Sequence, residues 1–374
     1  MFSFGLVYFF LFFAVSSISG MLIPFLQYKG YQPVQIGTLI SIYTLMGLFG
    51  QLGVGFFCEK FRTIKKIFIF CLVITLITTT LSIHIRKSLL FYLSFYTLGV
   101  FIGLLASLYD SWVLDGEYKC KFGKLRSYGA LGWAFGVLST GYIVSYFGYK
   151  ILNIVFILFI TITILITLKI NDIKKEEKNK MKLKEILINK DYDFLVLSLL
   201  VVSISYRSYI QIIPYYIGYI GKTTSSIGMY YFLSAICEMI MLSVSINLMK
   251  KYSPDKLLIL TPIALVIQFL VLYFSKNIII VYVSSILNLF TFPIILMVGR
   301  IMVDRVSKKE TKTTSQLIGF AIYNSSGIII ASFFVGFFVE YFGIPKTLII
   351  LILFTILSLI VTIYYDRKTI DKCV

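Results

Sequence analysis

The amino-acid sequence predicts an all-α membrane protein of twelve transmembrane helices in two six-helix bundles, and three observations predict it. Hydrophobic residues make up 59% of the 374 and charged ones 14%, with a mean hydropathy of +0.91, well beyond a soluble domain with a polar skin. The apolar residues fall in long blocks separated by short basic stretches, and blocks of roughly 20 residues are what a helix needs to cross about 30 Å of hydrocarbon. The roughly 10-residue alternation of a membrane barrel is not present, which leaves helices as the spanning element.

Taken in order, the blocks place spans at about 4–26, 34–57, 67–84, 89–112, 124–146 and 150–169, then 194–217, 226–249, 257–275, 278–299, 316–339 and 346–365. The first block has the apolar character of a signal peptide. It lacks a basic leader and a small-x-small cleavage site, so it is expected to stay as a helix. Assigning alternate connections to opposite sides puts 27 of the 35 Lys and Arg on one side and 7 on the other, with Arg207 inside a span. Basic loops stay on the cytoplasmic side, so both termini are expected in the cytoplasm of a multi-pass protein of the cell membrane. The net charge of +18 is mostly this loop signal. Its spread over short loops argues against a nucleic-acid partner.

The five cysteines, at 58, 71, 120, 237 and 373, show no disulfide or metal spacing, and His84 is the single histidine. No metal site or cofactor is expected. An enzyme would need a nucleophile and base, or metal ligands, converging in one place, and no such cluster is present.

The longest polar segment, residues 169–193, divides the chain into an N-terminal bundle (1–168) and a C-terminal bundle with a short tail (194–374). The segment reads as a solvated linker or as a surface helix on the anionic inner leaflet. The halves echo each other. "YGALGWAFGVLSTGYIVSYFG" at 128–148 and "YNSSGIIIASFFVGFFVEYFG" at 323–343 lie 195 residues apart and share seven of 21 positions. A second echo links "PFLQYKGYQPVQIG", from Pro24, to "PYYIGYIGKTTSSIG", from Pro214, and after one inserted residue sets a spacing of 191. Two six-helix units in parallel repeat are the expected architecture of a transporter with its substrate site between repeats.

Charge at membrane depth is costly, so each such residue is a functional candidate. Arg207 lies near the centre of the seventh span and Glu238 near the centre of the eighth, so depth lets them meet. One reading is an ion pair that holds two helices together. The other is a wet cavity, favoured by Tyr206, Tyr209 and Gln211 close to Arg207. Asp110 lies near the cytoplasmic end of the fourth span and Arg126 lies early in the fifth. Both could snorkel to the inner surface, but Gly129, Gly132 and Gly136 with Ala130 would let the fifth helix approach a neighbour and hold the pair inside. After the second span, "GFFCEKFRTIKK" places Gly55, Glu59, Lys60, Lys65 and Lys66 at the first cytoplasmic loop.

On these residues the chain resembles the major facilitator superfamily over essentially its whole length. "GFFCEKFRTIKK" is similar to the superfamily's gating-loop motif of glycine, three residues, Asp-Arg, then Gly-Arg-Arg. Here Glu59 and Lys60 replace Asp and Arg, Arg62 stands where glycine is expected, and one residue is inserted. "FGKLRSYGALGWAFG" resembles the fifth helix of the lactose permease-like branch, Phe-Gly-x-x-Arg-x-x-Gly-x-x-Gly-Trp; the phenylpropionate permease-like branch shares the glycines. The resemblance implies that Arg126 makes a bidentate contact to substrate, that Trp133 offers its ring for stacking, that Asp110 partners the arginine and that Glu238 accepts substrate hydroxyl hydrogen bonds. The branch's tenth-helix histidine and glutamate are replaced by "ILNLFTFP", giving Asn288 and Thr291. Tyr323 stands for the lysine of helix eleven, and Arg207 for an aspartate of helix seven. Asp110 and Glu238 are then the remaining proton-coupling candidates. The expectation is a monomeric secondary transporter for a sugar, nucleoside or aromatic acid, with protons as the candidate coupling ion and a uniporter or a non-transporting receptor as alternatives.

Overall fold

The computed structural model describes residues 1–61, 63–116, 118–172, 190–307 and 312–370. Helices are the only regular structure among them: α1 Phe2–Ser19, α2 Leu22–Tyr28, α3 Pro33–Phe61, α4 Lys65–His84, α5 Leu89–Leu114, α6 Phe122–Phe147 and α7 Ile151–Leu168. They continue as α8 Lys190–Tyr219, α9 Thr224–Lys251, α10 Pro254–Phe274, α11 Ile278–Ser284, α12 Phe292–Val306, α13 Lys312–Phe320 and α14 Gly327–Ile370. Among the described residues, eleven stretches are long and apolar enough to cross a membrane, which makes this a multi-pass membrane protein. Side chains such as Leu89, Phe147 and Phe274, each at least 74% exposed, suit contact with lipid rather than water.

Several predicted spans prove to be interrupted. The first breaks at Gly20–Met21 between α1 and α2. The tenth passes through a 3₁₀ stretch, Ser285–Phe290, before Pro293 at the head of α12. A π-helical turn, Ala321–Ser326, joins α13 to α14, and α14 carries a non-helical Gly343 followed by Pro345. Residues 173–189, most of the predicted central loop, lie outside the described residues, and α8 begins at Lys190.

Helix ends show why the elements stop where they do. Ser88 accepts the Phe91 amide at the head of α5, and Asn277 accepts the Ile279 amide at the head of α11. At the head of α4 the Asp172 carboxylate takes the Lys65 amide at 3.0 Å and the Thr63 hydroxyl at 2.5 Å. In return the Lys65 ammonium donates to the Leu168 and Ile170 carbonyls at the end of α7, at 2.8 and 2.7 Å. Each helix thus meets a side chain of the sign its dipole favours.

The internal repeat is written in the backbone. Positive φ occurs at Gly30, Gly148, Gly221 and Gly343 among the described residues. Gly30 pairs with Gly221 at the spacing of 191 and Gly148 with Gly343 at 195, so each turn that demands glycine recurs in the other half.

The chain divides into two compact units. One comprises Met1–Tyr31, Ile42–Lys178 and Lys222–Ala235; the other comprises Gln32–Ser41, Asn179–Gly221 and Ile236–Val374. Within the first, α1 packs on α6 and α7, and α4 packs on α5 and α7. Within the second, α14 packs on α8 and α10. The division departs from the expected halves by the first turns of α3 and α9, which are repeat equivalents. The reason is local packing: Gly37 of α3 lies against the Ser332 carbonyl of α14, and Gly228 of α9 lies against the Val137 carbonyl of α6. Ser41 donates to the Ile329 carbonyl at 2.7 Å, and Glu340 accepts the Val34 amide at 2.7 Å.

Candidate functional site

In the first unit, α1, α5 and α6 bring a carboxylate and a guanidinium together. Asp110 lies one turn before the end of α5, and Arg126 lies in the second turn of α6. Their closest approach is 3.5 Å, from Arg126 Nε to Asp110 Oδ1, with both side chains about one-third exposed. Tyr8 of α1 donates its hydroxyl to the same Asp110 oxygen at 2.7 Å. The Arg126 guanidinium lies 4.2 Å above the ring of Phe12, one turn further along α1, which supplies a cation–π contact. The spaced glycines of α6 do what the sequence suggested, and the neighbour is α1. A Cβ at Gly132 would fall 2.1 Å from the Phe9 carbonyl oxygen, and one at Gly136 would fall 2.7 Å from that of Phe13. Trp133, on the same helix, meets Tyr231 edge-on at 6.4 Å.

The second unit gathers α8, α9, α12 and the π-helical turn. Arg207 and Glu238 are not joined by an ion pair. The Glu238 carboxylate accepts from the Tyr206 hydroxyl at 3.1 Å, while Arg207 Nη2 donates to Asn324 Oδ1 at 2.5 Å. Arg207 also sits 5.1 Å from the Tyr206 ring and 5.2 Å from that of Phe292, rings that stack on each other at 5.7 Å. One turn on, the Gln211 amide donates to Ser332 at 2.8 Å. Asn324 sits on the π-helical turn, a geometry that recurs at functional sites.

Two other candidates are enclosed by protein. Asn288, fully buried in the 3₁₀ stretch, accepts from Gln268 at 3.0 Å and takes part in a polar ladder with Thr291. Tyr323 is also buried, against Phe320 and beside Gly299. In the loop motif, Gly55, Glu59 and Lys60 lie within α3, but their side chains lie outside the described residues. Lys65 closes the end of α7, and the Lys66 amide donates to Thr63 at 3.3 Å.

Tyr8, Phe12, Phe292 and Asn324 complete these clusters and were not among the sequence candidates. Asn324 had a visible signal, since "YNSSG" interrupts an apolar block with three polar residues. Tyr8 and Phe12 had none, because aromatic residues crowd that block.

The fold is that of known membrane transporters. The nucleoside transporter NupG is 14% identical with a TM-score of 0.81, covering 97% of this chain and 97% of that one. A bacterial homologue of the human lysosomal transporter Spinster, in an inward-facing unoccupied conformation, is 12% identical with a TM-score of 0.78, over 99% of this chain and 97% of that one. A POT family transporter in complex with 5-aminolevulinic acid is 12% identical with a TM-score of 0.75, over 98% and 96%. These proteins are transporters rather than enzymes. No curated protein sequence matches the chain. The match that assigns it spans residues 1–350, and on that ground the chain belongs to the MFS_1 like family, within the major facilitator fold.

Proposed function

We propose that the protein is a secondary active transporter of the lactose permease-like branch, moving a small organic solute of the sugar, nucleoside or aromatic acid class by alternating access. The observation that carries this reading is the recurrence of one chemical arrangement. Each unit sets an arginine near a carboxylate inside an apolar helix bundle, and in each the carboxylate is held by a tyrosine hydroxyl, Tyr8 on Asp110 and Tyr206 on Glu238. Ionisable groups at membrane depth persist where they serve a solute or ion pathway.

In this mechanism Arg126 and Arg207 donate to acceptor oxygens of the solute, and Asp110 and Glu238 accept from its hydroxyls. Trp133 offers a ring face, and Gln211 adds an amide. The tyrosines hold the carboxylates when solute is absent and release them to it on binding, so loading and reorientation compete for the same groups. Asn288 and Tyr323 shape the surroundings of the second cluster. Asp110 and Glu238 are the proton carriers if transport is proton-coupled; uniport is the alternative, because Asn288 and Thr291 stand where the branch carries its relay histidine and glutamate.

The reading takes α14 as two spans. Its 44 residues, at 1.5 Å per residue, would measure about 66 Å if straight, roughly twice the hydrocarbon thickness, and Gly343 and Pro345 supply the break. Twelve spans then put both termini on the basic, cytoplasmic side of the cell membrane, in a protein that acts as a monomer. The test is uptake of labelled solutes into proteoliposomes with an imposed pH gradient. Uphill accumulation abolished by Arg126→Ala is expected, and undiminished accumulation by that variant would refute the site.

A further inference from the structure

Arg207 is chemically incomplete. Of its three guanidinium nitrogens only Nη2 has a protein acceptor, and that acceptor is the neutral Asn324 amide oxygen. Nε has no surface open to solvent and no hydrogen-bond partner. Arg126 pairs with Asp110 and Arg305 with Asp255, and neither pair involves Arg207. A guanidinium with an Nε closed off from water is ordinarily satisfied by a carboxylate held in its planar fork. Here Glu238, the carboxylate at the same depth, accepts from Tyr206 instead. Glu238 acts on the guanidinium only through space, and the Tyr206 and Phe292 rings beside it contribute an attractive face but no hydrogen-bond acceptor for Nε.

Resting on the transporter reading above, we infer that the solute is an organic monoanion, a carboxylate on an apolar or aromatic body, and that Arg207 is the residue that reads its charge. The carboxylate supplies the acceptor that Nε lacks, and the Tyr206 and Phe292 rings pack on the body. Glu238 already lies close enough to act on Arg207, so a solute of one negative charge asks least of a single arginine, and a dianionic phosphate would add a second charge that nothing in the cluster offsets. Asn324 fits the assignment as well: an amide at that place orients the guanidinium by one hydrogen bond and leaves its charge for the solute, whereas an aspartate would neutralise it from within.

The test uses the full-length protein in lipid nanodiscs and proteoliposomes, with benzoate and phenylacetate as probes. The neutral comparisons are benzamide, phenylacetamide, uridine and lactose. Binding is read by thermal shift and tryptophan fluorescence, and transport by radiolabel uptake. The carboxylates should bind at least about tenfold more tightly than their amides, because a site built around an unpaired charge rejects an analogue that cannot pair it. Arg207→Gln should bring acid and amide within about twofold, whereas Arg207→Lys, which keeps the charge but not the fork, should retain part of the preference. Should Arg207→Gln fail to fold, Asn324→Asp serves in its place. That variant should be at least as heat-stable as the parent yet bind carboxylates about tenfold more weakly, since the new acid occupies the fork. Binding or uptake of uridine or lactose with no carboxylate binding would overturn this inference and leave the transporter reading standing. An absence of carboxylate binding by well-folded protein would overturn it too. Carboxylate binding without uptake would support the anion site and refute transport instead.

Discussion

Replacing Gly37 by alanine adds one methyl group at a place where backbone, not side chain, stands in the way. The new Cβ would lie 2.3 Å from the Ser332 carbonyl oxygen, 3.1 Å from its carbon and 3.2 Å from Phe333 Cα. Ordinary contact begins near 3.4 Å, so α3 and α14 must part by about 1 Å, and no rotamer change can relieve the clash. Separation would also stretch the bonds from Ser41 to Ile329 and from Val34 to Glu340, 2.7 Å each. Overpacking of this kind costs about 1–3 kcal/mol. The repeat equivalent behaves alike, with a Cβ at Gly228 falling 2.8 Å from the Val137 carbonyl oxygen. Gly218 of α8 is the control, since its Cβ would meet nothing within 4 Å and its φ is not in the left-handed region. There, alanine should be neutral or stabilising by up to about 1 kcal/mol. The assay is thermal unfolding of the three purified variants in one detergent. A Gly37→Ala variant as stable as Gly218→Ala would refute the close packing of α3 on α14.

Other consequences follow from single contacts. Tyr8→Phe removes the donor that competes with solute for Asp110 and should tighten solute binding by about 1–3 kcal/mol, read by calorimetric titration with whichever solute is transported; an unchanged affinity would separate Tyr8 from the site. Asp172→Asn weakens the cap on α4 and should lower stability by about 0.5–2 kcal/mol, seen as a lower unfolding midpoint that Lys65→Met reproduces from the other side of the interlock. The Lys29 ammonium, in the turn after α2, donates to the Ile85 carbonyl and lies 4.9 Å from the Phe91 ring. Burial brings it from its ordinary 10.5 down to about 8, so between pH 8 and about 10 the unfolded chain binds more protons than the folded one and this group's contribution to stability rises with pH. Lys29→Met should flatten that slope in pH-dependent unfolding, and an unaltered slope would refute the assignment.

Much of the architecture is legible in the sequence because the bilayer imposes length and polarity on every span. The repeat spacings of 191 and 195 were readable too, and they carry over to the positive-φ pairs Gly30 with Gly221 and Gly148 with Gly343. Hydropathy does not register backbone hydrogen-bond pattern, so the 3₁₀ stretch before Thr291 and the π-helical turn at Asn324 were invisible. Depth along a helix is readable while rotation about its axis is not. Arg207 and Glu238 share a depth, yet Arg207 turns toward Asn324 and Glu238 toward Tyr206. Tyr8 and Asp110 lie 102 residues apart, and no local pattern marks one as the partner of the other.

Solute counterflow tests the account most directly. Proteoliposomes preloaded with unlabelled solute are diluted into a trace of labelled solute, and the internal label is followed in time. A carrier that exposes one site alternately to each side produces a transient overshoot of internal label, which Arg126→Ala should abolish. Tight binding without an overshoot, or an overshoot of full height in Arg126→Ala, would contradict it.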